Sequence, residues 1–151
     1  MVNDGLDLII LDDEQLICDY LARYARRFYT WGEVHAFTDP IEAKTFCFQR
    51  GSSLAIFVID VFLGNISAFD FVESIGTHYP LAPEDTIIIS GQADDDVVNM
   101  CVAAGVNCLL EKPLKPYGFQ FAVRAIARKY LTFAKKLMQD PSLAAHVERL
   151  G

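Results

Sequence analysis

The sequence predicts a parallel, doubly wound α/β sheet. Strand-like and helix-like stretches alternate strictly, five of each. Two of the strand-like runs, residues 54–61 and 86–89, are apolar almost throughout, as a sheet covered by helices on both faces requires. Four strands break off into polar residues at their carboxyl ends, the edge at which such folds bind ligands.

The elements follow in order. Residues 6–11 form a short apolar run stopped by Asp12-Asp13-Glu14. Leu16, Ile17, Tyr20, Leu21, Tyr24 and Phe28 then recur at helical spacing, with Gly32 expected to close that helix. Residues 34–37 read as a strand. Thr38-Asp39-Pro40 reads as a helix start, and the helix runs to about Arg50 and stops at Gly51. The third strand ends at Asp60, and a helix is expected over residues 68–78. The fourth strand ends at Ser90-Gly91. Asp94-Asp95-Asp96 opens a helix at its favourable, positive end, and Gly105 ends it. Residues 107–110 form the last strand, stopped by Glu111-Lys112-Pro113, and a long helix begins near Pro116.

The chain has 151 residues, 52% hydrophobic and 22% charged, the composition of one folded globular domain. Its formal charge of −7 argues against nucleic-acid binding by the whole surface, although seven of the 13 basic residues lie between Lys112 and Lys136. No apolar run is long enough to span a membrane. Asp4 and Asp7 stand where a secretory signal needs positive charge, so a cytoplasmic protein is expected. Cys18, Cys47, Cys101 and Cys108 form no C-x-x-C pair and read as reduced, buried thiols.

Right-handed crossovers carry all strand ends to one edge. Asp12 and Asp13, Asp60, Ser90 and Lys112 should therefore converge. Three crowded carboxylates need a cation, and a hard divalent ion such as magnesium suits oxygen ligands. A carboxylate can attack phosphorus to give an acyl phosphate, while a lysine and a hydroxyl hold the phosphoryl oxygens. The edge reads as an aspartyl-phosphate site.

Ile10-Leu11-Asp12-Asp13-Glu14, Ile59-Asp60, Ile88-Ile89-Ser90-Gly91 and Glu111-Lys112-Pro113-Leu114 lie 60 − 13 = 47, 90 − 60 = 30 and 112 − 90 = 22 residues apart. In that order and spacing the chain resembles the receiver domains of two-component response regulators over about residues 5–130. The resemblance implies a five-stranded flavodoxin-like fold for residues 1–130, with residues 131–151 a helical extension lacking a recognisable output domain. It implies Asp60 as phosphoacceptor, and magnesium held by Asp12, Asp13, Asp60 and the backbone carbonyl of Phe62. Lys112 and Ser90 would contact the phosphoryl group, and the Lys112-Pro113 bond would be cis. A histidine kinase or histidine phosphotransfer protein would be the donor, and the chain would be a signalling switch rather than an enzyme.

There are departures from the pattern. Leu109 stands where the family usually has an aromatic residue. Gly64 and Ala68 replace a frequent proline and glycine after the acceptor. Two other functions compete. A phosphatase of the haloacid dehalogenase kind needs a second Asp two residues after the nucleophile, where this chain has Phe62. A non-phosphorylated interaction module would keep the fold as scaffold, and Leu109 supports it. Taken singly, Asp12-Asp13 could be a helix cap, Ser90 a turn residue and Lys112 a solvated lysine. Asp70 is expected to be exposed, and His35, His78 and His146 have no evident partners. Finally, Phe119, Val123, Ile126, Tyr130, Phe133 and Leu137 form a heptad-like stripe. Its first half should pack on the sheet. Its second half needs cover, from a second copy of the chain or from the tail, where Asp140-Pro141-Ser142 reads as the cap of a short last helix.

Overall fold

Five parallel strands build the sheet of the computed structural model, which describes residues 5–150. Asp4 and Gly151 lie outside the described residues. The strands are β1 (Asp7–Leu11), β2 (Val34–Phe37), β3 (Ala55–Asp60), β6 (Thr86–Ser90) and β7 (Cys108–Glu111). Their spatial order is β2-β1-β3-β6-β7. The helices are α1 (Gln15–Phe28), α2 (Pro40–Gln49), α3 (Ala68–Ser74), α4 (Asp95–Ala104), α5 (Pro116–Gln139) and α6 (Pro141–Leu150).

Period-two alternation splits the core in two. Ile9, Leu11, Phe57, Ile59 and Ile88 face Ala43 and Cys47 of α2, Phe71 and Val72 of α3, and Val97 and Cys101 of α4. Leu8, Ile10, Ile56, Val58, Ile87 and Ile89 face Cys18, Leu21 and Ala25 of α1 and Phe119, Val123 and Ala127 of α5. Both faces of β1, β3 and β6 are buried, which is why their sequences are continuously apolar. No helix among the described residues is long and apolar enough to cross a membrane.

The elements depart from expectation in three places. Helix α1 ends at Phe28, before Gly32, because Tyr29 turns extended and buries its ring, with its hydroxyl donating to the Leu6 carbonyl. Gly32 serves a different purpose: a Cβ there would lie 2.4 Å from the Leu6 carbonyl oxygen, so only glycine admits that close approach. Helix α3 stops at Ser74 rather than near His78, and Ile75 and Tyr79 then turn into the core. Between Asp60 and α3 the chain forms an additional hairpin of two short strands, β4 (Phe62–Leu63) and β5 (Ile66–Ser67). Gly64 takes its turn at φ +77. Ser67 and Asp70 then form a capping box, each side chain accepting the other's backbone N–H at 3.1 and 3.0 Å. Asp70 is exposed as expected.

Three buried charges secure the framework away from the carboxyl edge. Asp7, at the start of β1, accepts the Glu33 N–H at 2.8 Å and the Arg50 Nε–H at 3.2 Å. Arg50 also donates to the carbonyls of Leu54 and Gly5 and to the Tyr79 hydroxyl, each at 3.1 Å. Two histidines do have neighbours here. His35 Nε2 lies 3.8 Å from Asp7, and His78 Nε2 lies 3.1 Å from the Arg50 carbonyl, a contact that only an N–H can satisfy. Asp85, in the single helical turn Pro83–Asp85 before β6, is 1% exposed. It is clasped by the Lys129 ammonium at 2.6 Å and by the Tyr130 hydroxyl, both from α5.

Helix α5 runs 24 residues without a break. The first half of its stripe is buried on the sheet; beyond it Leu137 is half-buried and Phe133 is 47% exposed. Asp140 accepts the Leu143 N–H at 3.0 Å and so starts α6, which buries no residue.

Removing one partner of a buried ion pair leaves the other uncompensated, so Arg50→Met is expected to lower the unfolding free energy by about 3–5 kcal/mol. Urea unfolding checks this through a lower midpoint at unchanged slope.

Candidate aspartyl-phosphate site

The site is built by strand register. Leu11 pairs with Ile59 across β1 and β3, so the next residue of each strand, Asp12 and Asp60, emerge side by side. Asp12 is buried, and Asp13 after it is exposed. Oxygens of Asp12, Asp13 and Asp60 all lie within 4.8 Å of one another. Lys112 reaches the cluster from beyond β7, where the Lys112 N–H donates to the Ser90 carbonyl at 2.8 Å and the following peptide bond to Pro113 is cis. Its ammonium lies 3.3 Å from Asp12 Oδ2 and 3.5 Å from Asp60 Oδ1. Glu14, part of the first motif but given no site role from the sequence, lies 3.8 Å from the same ammonium.

The electrostatics are those of a site short of positive charge. Burial, and next the Asp12 carboxylate, push Asp60 up from 3.8 to about 6, against the opposing pull of Lys112. Burial raises Asp12 as well, although the Glu14 N–H on its Oδ1 at 2.9 Å opposes the shift. Burial alone would lower Lys112, but the carboxylates of Asp12 and Asp60 outweigh it and the net shift is upward. Asp12 Oδ2 is buried without a hydrogen bond, Lys112 being its nearest cation. A buried carboxylate oxygen with no hydrogen bond, beside two further carboxylates, is a donor set that fits an oxygen-seeking divalent ion.

Ser90 and Phe62 stand at the same edge with different orientations. The Ser90 hydroxyl is turned onto its own loop: it donates to the Gln92 carbonyl at 2.7 Å and accepts the Gln92 N–H at 3.1 Å. The side chain of Phe62, two residues after Asp60, is 62% exposed beside the site, while Leu63 is buried under the hairpin. Leu109 is half-buried on the α2–α3–α4 side of the core. All four cysteines are free thiols, three are buried, and burial pushes Cys47 up to about 11. Burial raises the Cys18 thiol, which lies near enough to Asp12 to interact with it.

The raised Asp60 has a stability consequence whose sign is fixed. Because its folded value lies above 3.8, ionising Asp60 costs stability, a cost absent below about pH 4 and complete above about pH 6. Asp60→Asn is expected to be more stable than the natural chain by about 2–3 kcal/mol at pH 7 without divalent ions, a difference that vanishes toward pH 4. Thermal unfolding of both chains across that range checks it.

No protein-family model matches the chain, and no curated protein matches its sequence. Its fold, however, superposes on solved structures over most of both chains. Chemotaxis protein CheY4 of Vibrio cholerae matches with a TM-score of 0.69 at 17% identity, over 80% of this chain and 97% of that one. The beryllofluoride-activated NtrC4 receiver domain dimer matches with 0.70 at 19%, over 82% and 98%. The signal receiver domain of an HD domain-containing protein from Pseudomonas fluorescens Pf-5 matches with 0.72 at 16%, over 91% and 97%. Five parallel strands in the order β2-β1-β3-β6-β7, with helices on both faces, give this chain the flavodoxin-like fold of response-regulator receiver domains.

Proposed function

We propose that the chain is a signalling receiver that accepts a phosphoryl group on Asp60. The observation that carries this reading is the contact of one ammonium, Lys112, with both Asp12 and Asp60 inside a cluster of three carboxylates. A histidine kinase or a histidine phosphotransfer protein is the donor. A carboxylate oxygen of Asp60 attacks phosphorus, the P–O bond forms, the P–N bond to the donor imidazole breaks, and the imidazole leaves with the electron pair. Asp12, Asp13, Asp60 and the carbonyl of Phe62 are the residues to hold magnesium, which when bound supplies positive charge for the phosphoryl oxygens. Lys112 donates to one of those oxygens and so keeps its two carboxylate neighbours from repelling the incoming anion. Ser90 donates to another once its hydroxyl leaves Gln92.

The modified group adds charge where −3 + 1 = −2 already stands among Asp12, Asp13, Asp60 and Lys112. That added charge, rather than turnover of a substrate, is the product, so the chain acts as a switch and not as an enzyme. A cytoplasmic setting and a downstream protein partner fit this role. The exposed Phe133 and Met138 of the extension support pairing with a second copy of the chain, which size measurement with and without phosphodonor would report. The exposed side chain of Phe62, where a phosphatase of this chemistry needs a second acid, speaks against hydrolytic turnover. One observation favours an unphosphorylated interaction module instead: Leu109 offers no aromatic ring to follow a change at Ser90.

The deciding experiment is intact mass after incubation with magnesium and acetyl phosphate. One phosphate adduct is expected on the natural chain and none on Asp60→Asn. A folded natural chain that stays unmodified by both acetyl phosphate and phosphohistidine donors would leave the interaction module as the better reading.

A further inference from the structure

Glu111 has no part in the acceptor chemistry, yet it holds the loop beside it. It ends β7 directly opposite Ser90 in the parallel register. Its Oε2 accepts the backbone N–H of Ala93 at 2.9 Å, tying the last strand to the loop between β6 and α4. The Ser90 hydroxyl donates to the carbonyl of Gln92 at 2.7 Å. That carbonyl and the Ala93 N–H are the two ends of one peptide group, which is planar and turns only as a unit. Ser90 and Glu111 therefore grip the same rigid plate from opposite sides.

The segments on either side of this plate are held by bonds of their own. The strand ends are locked by the Lys112 N–H on the Ser90 carbonyl at 2.8 Å. Beyond the loop, Asp94 caps α4 by accepting the Val97 N–H at 3.1 Å. The hydroxyl has one proton, and Gln92 takes it. To donate toward Asp60, Ser90 must turn away from the Gln92 carbonyl and from the Gln92 N–H that it accepts at 3.1 Å, and Glu111, by holding the next peptide in place, keeps that carbonyl presented to the hydroxyl.

We propose that Glu111 is a latch on the hydroxyl switch: by holding the Gln92–Ala93 peptide, it keeps Ser90 turned away from Asp60 until a phosphoryl group competes for the hydroxyl. This rests on the acceptor reading of Asp60. Glu111 is a positioning residue, acting through Ser90 and touching no reacting atom.

The test compares Glu111→Ala and Glu111→Gln, each alone and with Ser90→Ala. Solvent exchange of the Ala93 amide, followed by NMR without any phosphodonor, reads the latch itself. The rate of adduct formation with magnesium and acetyl phosphate, followed by intact mass, reads its effect. Glu111→Ala is expected to raise Ala93 exchange and the adduct rate each by about three- to tenfold, the weight of one ordinary, solvent-exposed hydrogen bond. Glu111→Gln keeps a carbonyl acceptor and should stay close to the natural chain in both. With Ser90→Ala present, Glu111→Ala should no longer change the adduct rate, because there is no hydroxyl to release. Unchanged Ala93 exchange in Glu111→Ala would overturn the latch outright. Faster exchange with an unchanged adduct rate would overturn its bearing on Ser90. A natural chain that takes no phosphate, while Ala93 responds as expected, would instead sink the acceptor reading and leave Glu111 a purely structural tie.

Discussion

Parallel pairing of β1 with β3 forces two carboxylates together at the end of a buried sheet, and the neighbouring structure answers that constraint. The pairing of Leu11 with Ile59 is held by a ladder of backbone hydrogen bonds deep in the core. Asp12 and Asp60 cannot separate without breaking it. One relief is protonation, which the raised position of Asp60 expresses. Another is a cation: Lys112 is brought in from beyond β7 and contacts both acids. It neutralises one charge of three and leaves an oxygen of Asp12 without a hydrogen bond. A buried acid cluster with one cationic side chain beside it is a donor set suited to a further cation.

The far side of the molecule shows how the same chain treats buried charge where no ligand is wanted. Asp7 and Arg50 are buried, as Asp12 is, yet the guanidinium directs its donors to a carboxylate, two carbonyls and a phenol, and the carboxylate also takes a backbone N–H. Asp85 is likewise satisfied by an ammonium and a hydroxyl. Unmet demand is concentrated at the carboxyl edge, while the remaining charged interior is closed. This contrast separates structural ions from chemical ones better than burial alone.

Much of the molecule was legible because its signals are local or periodic. Continuous apolar runs marked β3 and β6, Asp39 and Asp94 marked helix starts, and Gly105 marked a helix end with its φ of +77. The polar residues that end the strands told of the site because the fold gathers them by topology alone. What escaped was decided by contacts distant in sequence. Tyr29 ends α1 early because its ring finds a place in the core and its hydroxyl finds Leu6, a pairing that no window of sequence contains. Arg50 looked like a helix end, and its role depends on Asp7, 43 residues away. The direction of Ser90's hydroxyl, onto Gln92 rather than toward Asp60, is a matter of rotamer and loop shape, to which residue type is blind.

The clasp on Asp85 has a mechanical consequence. It grips α5 about four turns below its start, at the amino end of β6, so sliding that helix would strip two partners from a carboxylate that is 1% exposed. α2 and α4 each sink two residues into the core, Ala43 and Cys47 in one and Val97 and Cys101 in the other. Helix α5 is thus bolted to the sheet at two points, by its apolar face and by this clasp. A cantilever fixed in that way carries whatever stands on its far end at a set angle to the sheet.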